Sequence, residues 1–236
     1  MSTGFSPSEP PLRTLGLFAK QPLAGQVKTR LAAGSSPEWA AKVATAFLLD
    51  LLERLTLLNA RRVLAFAPAE AASYFAGLFQ GRFLLTPQED GDLGRRMASF
   101  FAAQLSVTPR AVVLLGTDSP TLPLALIEQA FSELERADVV LGPATDGGYY
   151  LIGCAHRVPP LFDGVAWSSS RVLEQTVARL AVAGGRLALL PPWYDVDTIE
   201  DWRMLRGHVA AQRRAGLDPG VPHVERLMQD DPCIFP

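Results

Sequence analysis

Cysteine, histidine and net charge are all scarce in this chain. Two cysteines, Cys154 and Cys233, and three histidines, His156, His208 and His223, are spread over 236 residues. None stands at the spacing of a thiolate or imidazole metal site, so the pattern excludes a structural zinc and leaves both thiols as reduced bystanders. Lys and Arg number 22 against 24 Asp and Glu, a formal charge of −2. Without a basic excess there is no general grip on nucleic-acid phosphates, no nucleic acid is expected as a partner, and any anion must be held locally. Long apolar runs are missing too: Ala111 to Leu115 is far short of the roughly 20 residues that a membrane-crossing helix needs. Residues 1–13 lack the basic start and apolar block of a secretory signal. No membrane span and a cytoplasmic location are therefore expected.

What is present is the composition of a globular protein, 48% hydrophobic and 19% charged. Residues 1–13 read as a disordered tail, 14–213 as one domain, and 214–236 as a Pro-rich tail that wraps the surface or frays. Within the domain, short apolar runs alternate with longer helix-like segments, the pattern of an α/β fold on a mostly parallel sheet. Strands are expected at 15–19, 62–67, 83–86, 111–115, 139–141, 149–154 and 187–190. Helices are expected at 37–58, 69–79, 93–105, 123–136, 169–182 and 198–213. The strands at 139–141 and 149–154 have no helix between them and are candidates for an antiparallel pair, which makes the sheet mixed.

Ligands of open α/β sheets bind at the carboxyl ends of the strands, and five polar segments fall there. KQPLAGQVKTRL, after the first strand, holds Lys20, Gly25, Lys28, Thr29 and Arg30. Its three cations and its glycine suit a di- or triphosphate, although a solvated basic loop reads the same way. Neither a Walker motif nor G-x-G-x-x-G follows that strand, which takes most of the support from the kinase, ATPase and dinucleotide-dehydrogenase readings. GTDSP places Asp118 at the tip of the central strand as a metal ligand, because a carboxylate there needs a positive partner such as hydrated Mg²⁺ or Mn²⁺. The alternative is a turn residue. WYDVDT places Asp195 and Asp197 two apart, on one side of an extended chain. Asp197 is paired with Asp118 as the second carboxylate, with a helix-start residue as its alternative. GPATDGGYYLIG offers Asp146, Gly147, Gly148 and Tyr149 to an acceptor, or forms a plain hairpin. GDLGRRM puts Gly91, Asp92 and Gly94 at a helix start that cradles a nucleotide or merely caps the helix. Trp167 and Ser168 lid the acceptor side or belong to the core.

Taken together, KQPLAGQVKTRL, GDLGRRM, GTDSP, DGGYYLIG and DVDT, in that order between Leu15 and Arg206, resemble the bacterial family of glycosyltransferase-A-like nucleotide-diphospho-sugar transferases. That family is related to the molybdenum-cofactor and 2-phospholactate guanylyltransferases. The resemblance implies a three-layer α/β/α fold with a mixed, mostly parallel central sheet. It also implies Lys28 and Arg30 over the phosphates and Asp118 and Asp197 on Mg²⁺ or Mn²⁺; Asp146 is the candidate base if the chemistry is sugar transfer. One departure stands out: sugar transferases of this fold usually carry D-x-D at the central strand end, where this chain has Thr117, Asp118 and Ser119. The expected activity is divalent-metal-dependent transfer from a nucleotide sugar to a small-molecule acceptor. The alternatives are nucleotidyl transfer from a nucleoside triphosphate and a non-catalytic nucleotide-binding module.

Overall fold

An apolar run with no polar interruption is what a strand covered on both faces requires, and all five residues of Ala111–Leu115 (β4) are buried. The computed structural model describes residues 13–79, 81–107 and 111–230. The expected N-terminal tail, apart from Arg13, and residues 231–236 with Cys233 lie outside them. β4 sits mid-sheet between Arg13–Lys20 (β1) and Tyr149–Ala155 (β6). Arg61–Ala67 (β2) and Leu84–Pro87 (β3) extend the sheet on one side, Val139–Pro143 (β5) and Leu187–Leu189 (β7) on the other. The order is β3-β2-β1-β4-β6-β5-β7. Among the described residues only β6 runs against its neighbours, pairing antiparallel with both β4 and β5, and the other strand pairings are parallel. The sheet is thus mixed and mostly parallel, as expected. Because β6 is reversed, its first residue, Tyr149, lies on the same edge as the carboxyl ends of β1, β4 and β5, and the β5–β6 turn joins the loops collected there.

Helices cover both faces. Pro37–Leu55 (α2), Ala72–Phe79 (α3) and Leu124–Glu133 (α5) bring Leu48, Leu52, Phe75, Ile127 and Phe131 against Leu15, Leu17 and Leu64. Leu93–Ser106 (α4) and Val172–Ala183 (α6) bring Met97, Phe100, Phe101 and Leu180 against Val63, Val112 and Ile152. The expected helices are all present, with ends shifted by a few residues. Their starts follow their caps: Ser36 accepts from the Trp39 N–H at 3.1 Å ahead of Pro37. Thr198 and Asp201 form the reciprocal capping box of Ile199–Arg214 (α7).

Two helices depart from the expectation. Thr29–Ala33 (α1) is a five-residue helix inside the segment read as a loop. Pro222–Asp230 (α8) lies inside the segment read as a Pro-rich tail. That segment does not simply wrap the surface, because Val221 and Val224 are fully buried in a third cluster with Trp39, Phe47, Trp202 and Leu205. Asp50 of α2 fixes the start of α8 by accepting the backbone N–H groups of His223 and Val224, each at 2.9 Å. Burial pushes the Asp50 carboxyl up to about 6 against the pull of those two bonds. A long-range partner of this kind has no local signature in sequence.

Candidate active site

The loop after β1, the start of α4, the loop after β4, the first residues of β6 and the stretch before α7 surround one cleft of about 440 Å³. Of the residues expected at a site, Lys20, Lys28, Asp118, Tyr149 and Asp197 line it. Lys28 organises its polar end. An ammonium has three N–H bonds, and those of Lys28 go to Asp118 Oδ1, to Asp197 Oδ1 at 3.0 Å and to the Val196 carbonyl at 2.7 Å. Its Nζ also lies over the Phe47 ring, 5.4 Å from the ring centre. The Val196 N–H in turn donates to the Asp118 carbonyl at 2.9 Å, so two distant segments are tied side by side. Burial alone would lower the Lys28 pKa; the carboxylates of Asp118 and Asp197 outweigh it and raise it.

The carboxylates around this ammonium have different surroundings. The side chains of Asp118 and Asp197 remain 45% and 34% exposed, enough to meet a ligand. Asp195, expected to share a direction with Asp197, accepts the Ser119 hydroxyl instead. Burial first, and then the nearby charges of Asp118, Asp146 and Asp197, push its carboxyl up to about 7, the Ser119 bond opposing them. The consequence for stability has a definite sign. Between about pH 4 and 7 the folded chain holds a proton on Asp195 that the unfolded chain releases, so stability falls as pH rises through that window. Asp195→Asn, which stays neutral and still accepts from Ser119, should exceed the wild type at pH 8 by up to a few kcal/mol and match it near pH 4. Urea unfolding of both proteins at the two pH values checks this; a difference independent of pH contradicts it.

Other expected residues fall elsewhere. Arg30 is 65% exposed, 3.7 Å from Asp197 Oδ2 at the rim, while Thr29 is exposed at the start of α1. Lys20, which does line the cleft, donates to the Gln26 carbonyl at 2.9 Å. Gly25 makes an open turn with φ 76°. GDLGRRM contributes Leu93 and Met97 to the cleft rather than Gly91, Asp92 and Gly94, since positions four apart share a helix face. Asp92 caps α4 through the Arg95 N–H at 2.8 Å. Gly94 leaves room for the Trp167 indole, whose Nε1 lies 2.5 Å from where a Cβ would be. Trp167 also packs 6.3 Å from Phe162, so it joins the core and is not a lid over the cleft. Ser168 is exposed and Asp146 accepts the Gly148 N–H at 2.8 Å; neither lines the cleft, nor do Gly147 and Gly148.

Sequence reasoning missed Gln88, which follows β3 and lines the cleft with its amide donating to the Ala65 carbonyl at 2.8 Å. Its place at a strand's carboxyl end was the available signal. The donor set bears on a metal ion. Among the described residues no group of three His, Cys, Asp or Glu is arranged to hold one. The protein can offer two carboxylates, Asp118 and Asp197, brought within reach of a single ammonium. That donor set fits Mg²⁺, which takes one or two carboxylates and completes its shell with phosphate and water. Among the described residues no helix is long and apolar enough to cross a membrane.

Similarity to known proteins converges on this architecture. A Desulfovibrio desulfuricans G20 protein provisionally described as a nucleotide-diphospho-sugar transferase is 30% identical, with 95% of this chain and 96% of that one aligned and a TM-score of 0.86. A cytidylyltransferase from Leptospira borgpetersenii serovar Hardjo-bovis is 13% identical over 95% and 96% of the two chains, TM-score 0.57. A CMP:2-keto-3-deoxy-manno-octonic acid synthetase complexed with CTP is 12% identical over 85% and 99%, TM-score 0.56. The last two share the fold alone. No protein of curated function matches the chain in sequence. Residues 51–169 match the family model described as uncharacterized protein conserved in bacteria (DUF2064). With that match over half its length, and a 30% identical relative aligned almost end to end, the chain belongs to this bacterial family and has the nucleotide-diphospho-sugar transferase fold.

Proposed function

We propose that the protein is a transferase that draws on an activated nucleotide donor, and that the donor is a nucleotide sugar. The observation that carries this reading is the meeting of Lys28, Asp118 and Asp197 at the mouth of one cleft from three separate segments. The apolar end of that cleft, with Phe18, Leu93, Met97 and Ile152, suits a flat ring system. Asp118 and Asp197 would hold Mg²⁺ or Mn²⁺, which when bound neutralises charge on a departing nucleoside diphosphate. Lys20 and the exposed Arg30 would meet phosphate oxygens. Asp146, on the β5–β6 turn, would take the proton of a small-molecule acceptor hydroxyl as its oxygen attacks the sugar carbon and the nucleoside diphosphate leaves.

A second reading, nucleotidyl transfer, is favoured by a specific feature: the end of β4 carries Thr117, Asp118 and Ser119 instead of paired aspartates. There an acceptor phosphate oxygen attacks the α-phosphorus of a nucleoside triphosphate, pyrophosphate leaves, and no protein base is required. One assay separates the readings. The purified protein is incubated with Mg²⁺ or Mn²⁺ and with panels of nucleotide sugars or nucleoside triphosphates, each with candidate acceptors. Released nucleoside diphosphate supports sugar transfer, released pyrophosphate supports nucleotidyl transfer, and binding without turnover leaves a non-catalytic module.

A further inference from the structure

Lys28 is not disposed as a phosphate-binding cation. Each of its N–H bonds already has a protein acceptor, Asp118 Oδ1, Asp197 Oδ1 or the Val196 carbonyl. Its side chain is only 5% exposed, against 65% for Arg30 nearby. An ammonium so enclosed has no donor left for a ligand unless it gives up a partner. The partners are telling: they come from the loop after β4 and from the stretch before α7, which are far apart in sequence and meet here.

We propose that Lys28 is a positioning residue, the resident counter-ion of the Asp118 and Asp197 pair, which joins the two segments before any ligand arrives and competes with a divalent cation for that pair. Two carboxylates converging on one point repel each other, and a buried positive charge between them offsets the repulsion. The same charge opposes an incoming dication, whose two carboxylate ligands already share one oxygen each with the ammonium. The metal site is therefore held in shape but restrained in affinity until a donor's phosphates add their own negative charge. Free metal is left largely unbound, and metal and nucleotide enter together.

This inference rests on the proposed metal role of Asp118 and Asp197, and its test distinguishes the two. Binding of Mn²⁺ without nucleotide is followed by the electron paramagnetic resonance signal of the free ion, for the full chain and for Lys28→Met, Lys28→Gln and Asp118→Asn. Thermal unfolding is recorded in parallel with chelator and with Mn²⁺. Lys28→Met is expected to unfold at a lower temperature in chelator, to bind Mn²⁺ about tenfold more tightly than the wild type, and to gain more from it in melting temperature. Lys28→Gln, which keeps a donor without the charge, is expected to shift Mn²⁺ affinity the same way and serves if the Met variant does not fold. If the wild type binds Mn²⁺, Asp118→Asn does not, and both Lys28 variants bind no more tightly than the wild type, the competition is refuted while the metal reading stands. If none of the proteins binds Mn²⁺ alone, and Mn²⁺ adds nothing to the melting temperature of any of them in the presence of a nucleoside diphosphate, the metal reading falls and takes the competition with it.

Discussion

Asp118→Asn is expected to lower metal-dependent affinity for nucleotide by about a hundredfold or more, since even partners behind the ligands of a metal site change affinity by 10–100-fold. Asn is nearly the same size and keeps one carbonyl oxygen, so the substitution removes charge and little else. It takes away the charge of one of the two carboxylates that converge on Lys28 and leaves Asp197 to balance the buried ammonium. The same change therefore reaches stability. Asp118 is nearly half exposed and solvent screens its charge, but its partner is buried, so a loss of about 1–2 kcal/mol is expected. Titration of a nucleotide with and without Mg²⁺, alongside urea unfolding, measures both. Unchanged affinity in the presence of Mg²⁺ would remove Asp118 from the site.

Gly147→Ala should have the largest effect on stability. Gly147 has φ 91°, and a Cβ there would lie 2.2 Å from the Ser170 carbonyl oxygen and 2.7 Å from its Cα. These are backbone atoms on a segment tied to the turn by the Leu173 N–H donating to the Gly147 carbonyl at 2.9 Å, so no flexible side chain is available to yield. A loss on the order of 2–4 kcal/mol is expected from clash and backbone strain together. Gly25 supplies the control. It too has positive φ, 76°, but a Cβ would meet nothing within 4 Å, so Gly25→Ala should cost only about 1 kcal/mol. Equal midpoints for the two variants in thermal unfolding would show that the contact with Ser170 does not hold in solution. Because Asp146 adjoins Gly147, the first variant should also lose transfer activity while keeping nucleotide affinity, which depends on residues that line the cleft.

The pattern of local residues made the layers of this fold readable. Strand β4 announces itself as five apolar residues between turns, and Ser36 with Pro37, or Thr198 with Asp201, marks a helix start through contacts no more than three positions away. The meeting of Asp118 with Asp197 was anticipated, because both follow strands of one sheet whose carboxyl ends share an edge. The interactions that stayed hidden are those made across the chain. Asp50 reads as an ordinary helical carboxylate until α8 arrives 173 residues later to be capped by it. Asp195 and Asp197 were placed together by the two-residue repeat of an extended chain, yet Ser119 draws the first away and Lys28 holds the second. Trp167 is the converse: an aromatic ring beside serines suggests a ligand, and only the missing Cβ of Gly94 explains why it turns inward.

The backbone of Lys28 carries one more lesson. It adopts the left-handed conformation, φ 47° and ψ 44°, just ahead of α1, a place where glycine or asparagine would rest more comfortably. Glycine here would relax the main chain by about 1–2 kcal/mol, but it would also strip out the buried charge that joins Asp118 to Asp197, so a net loss of heat resistance is expected. A stabilisation scheme that replaces every left-handed residue by glycine would therefore fail at position 28, where an awkward backbone is the cost of delivering a charge to the point where two loops meet.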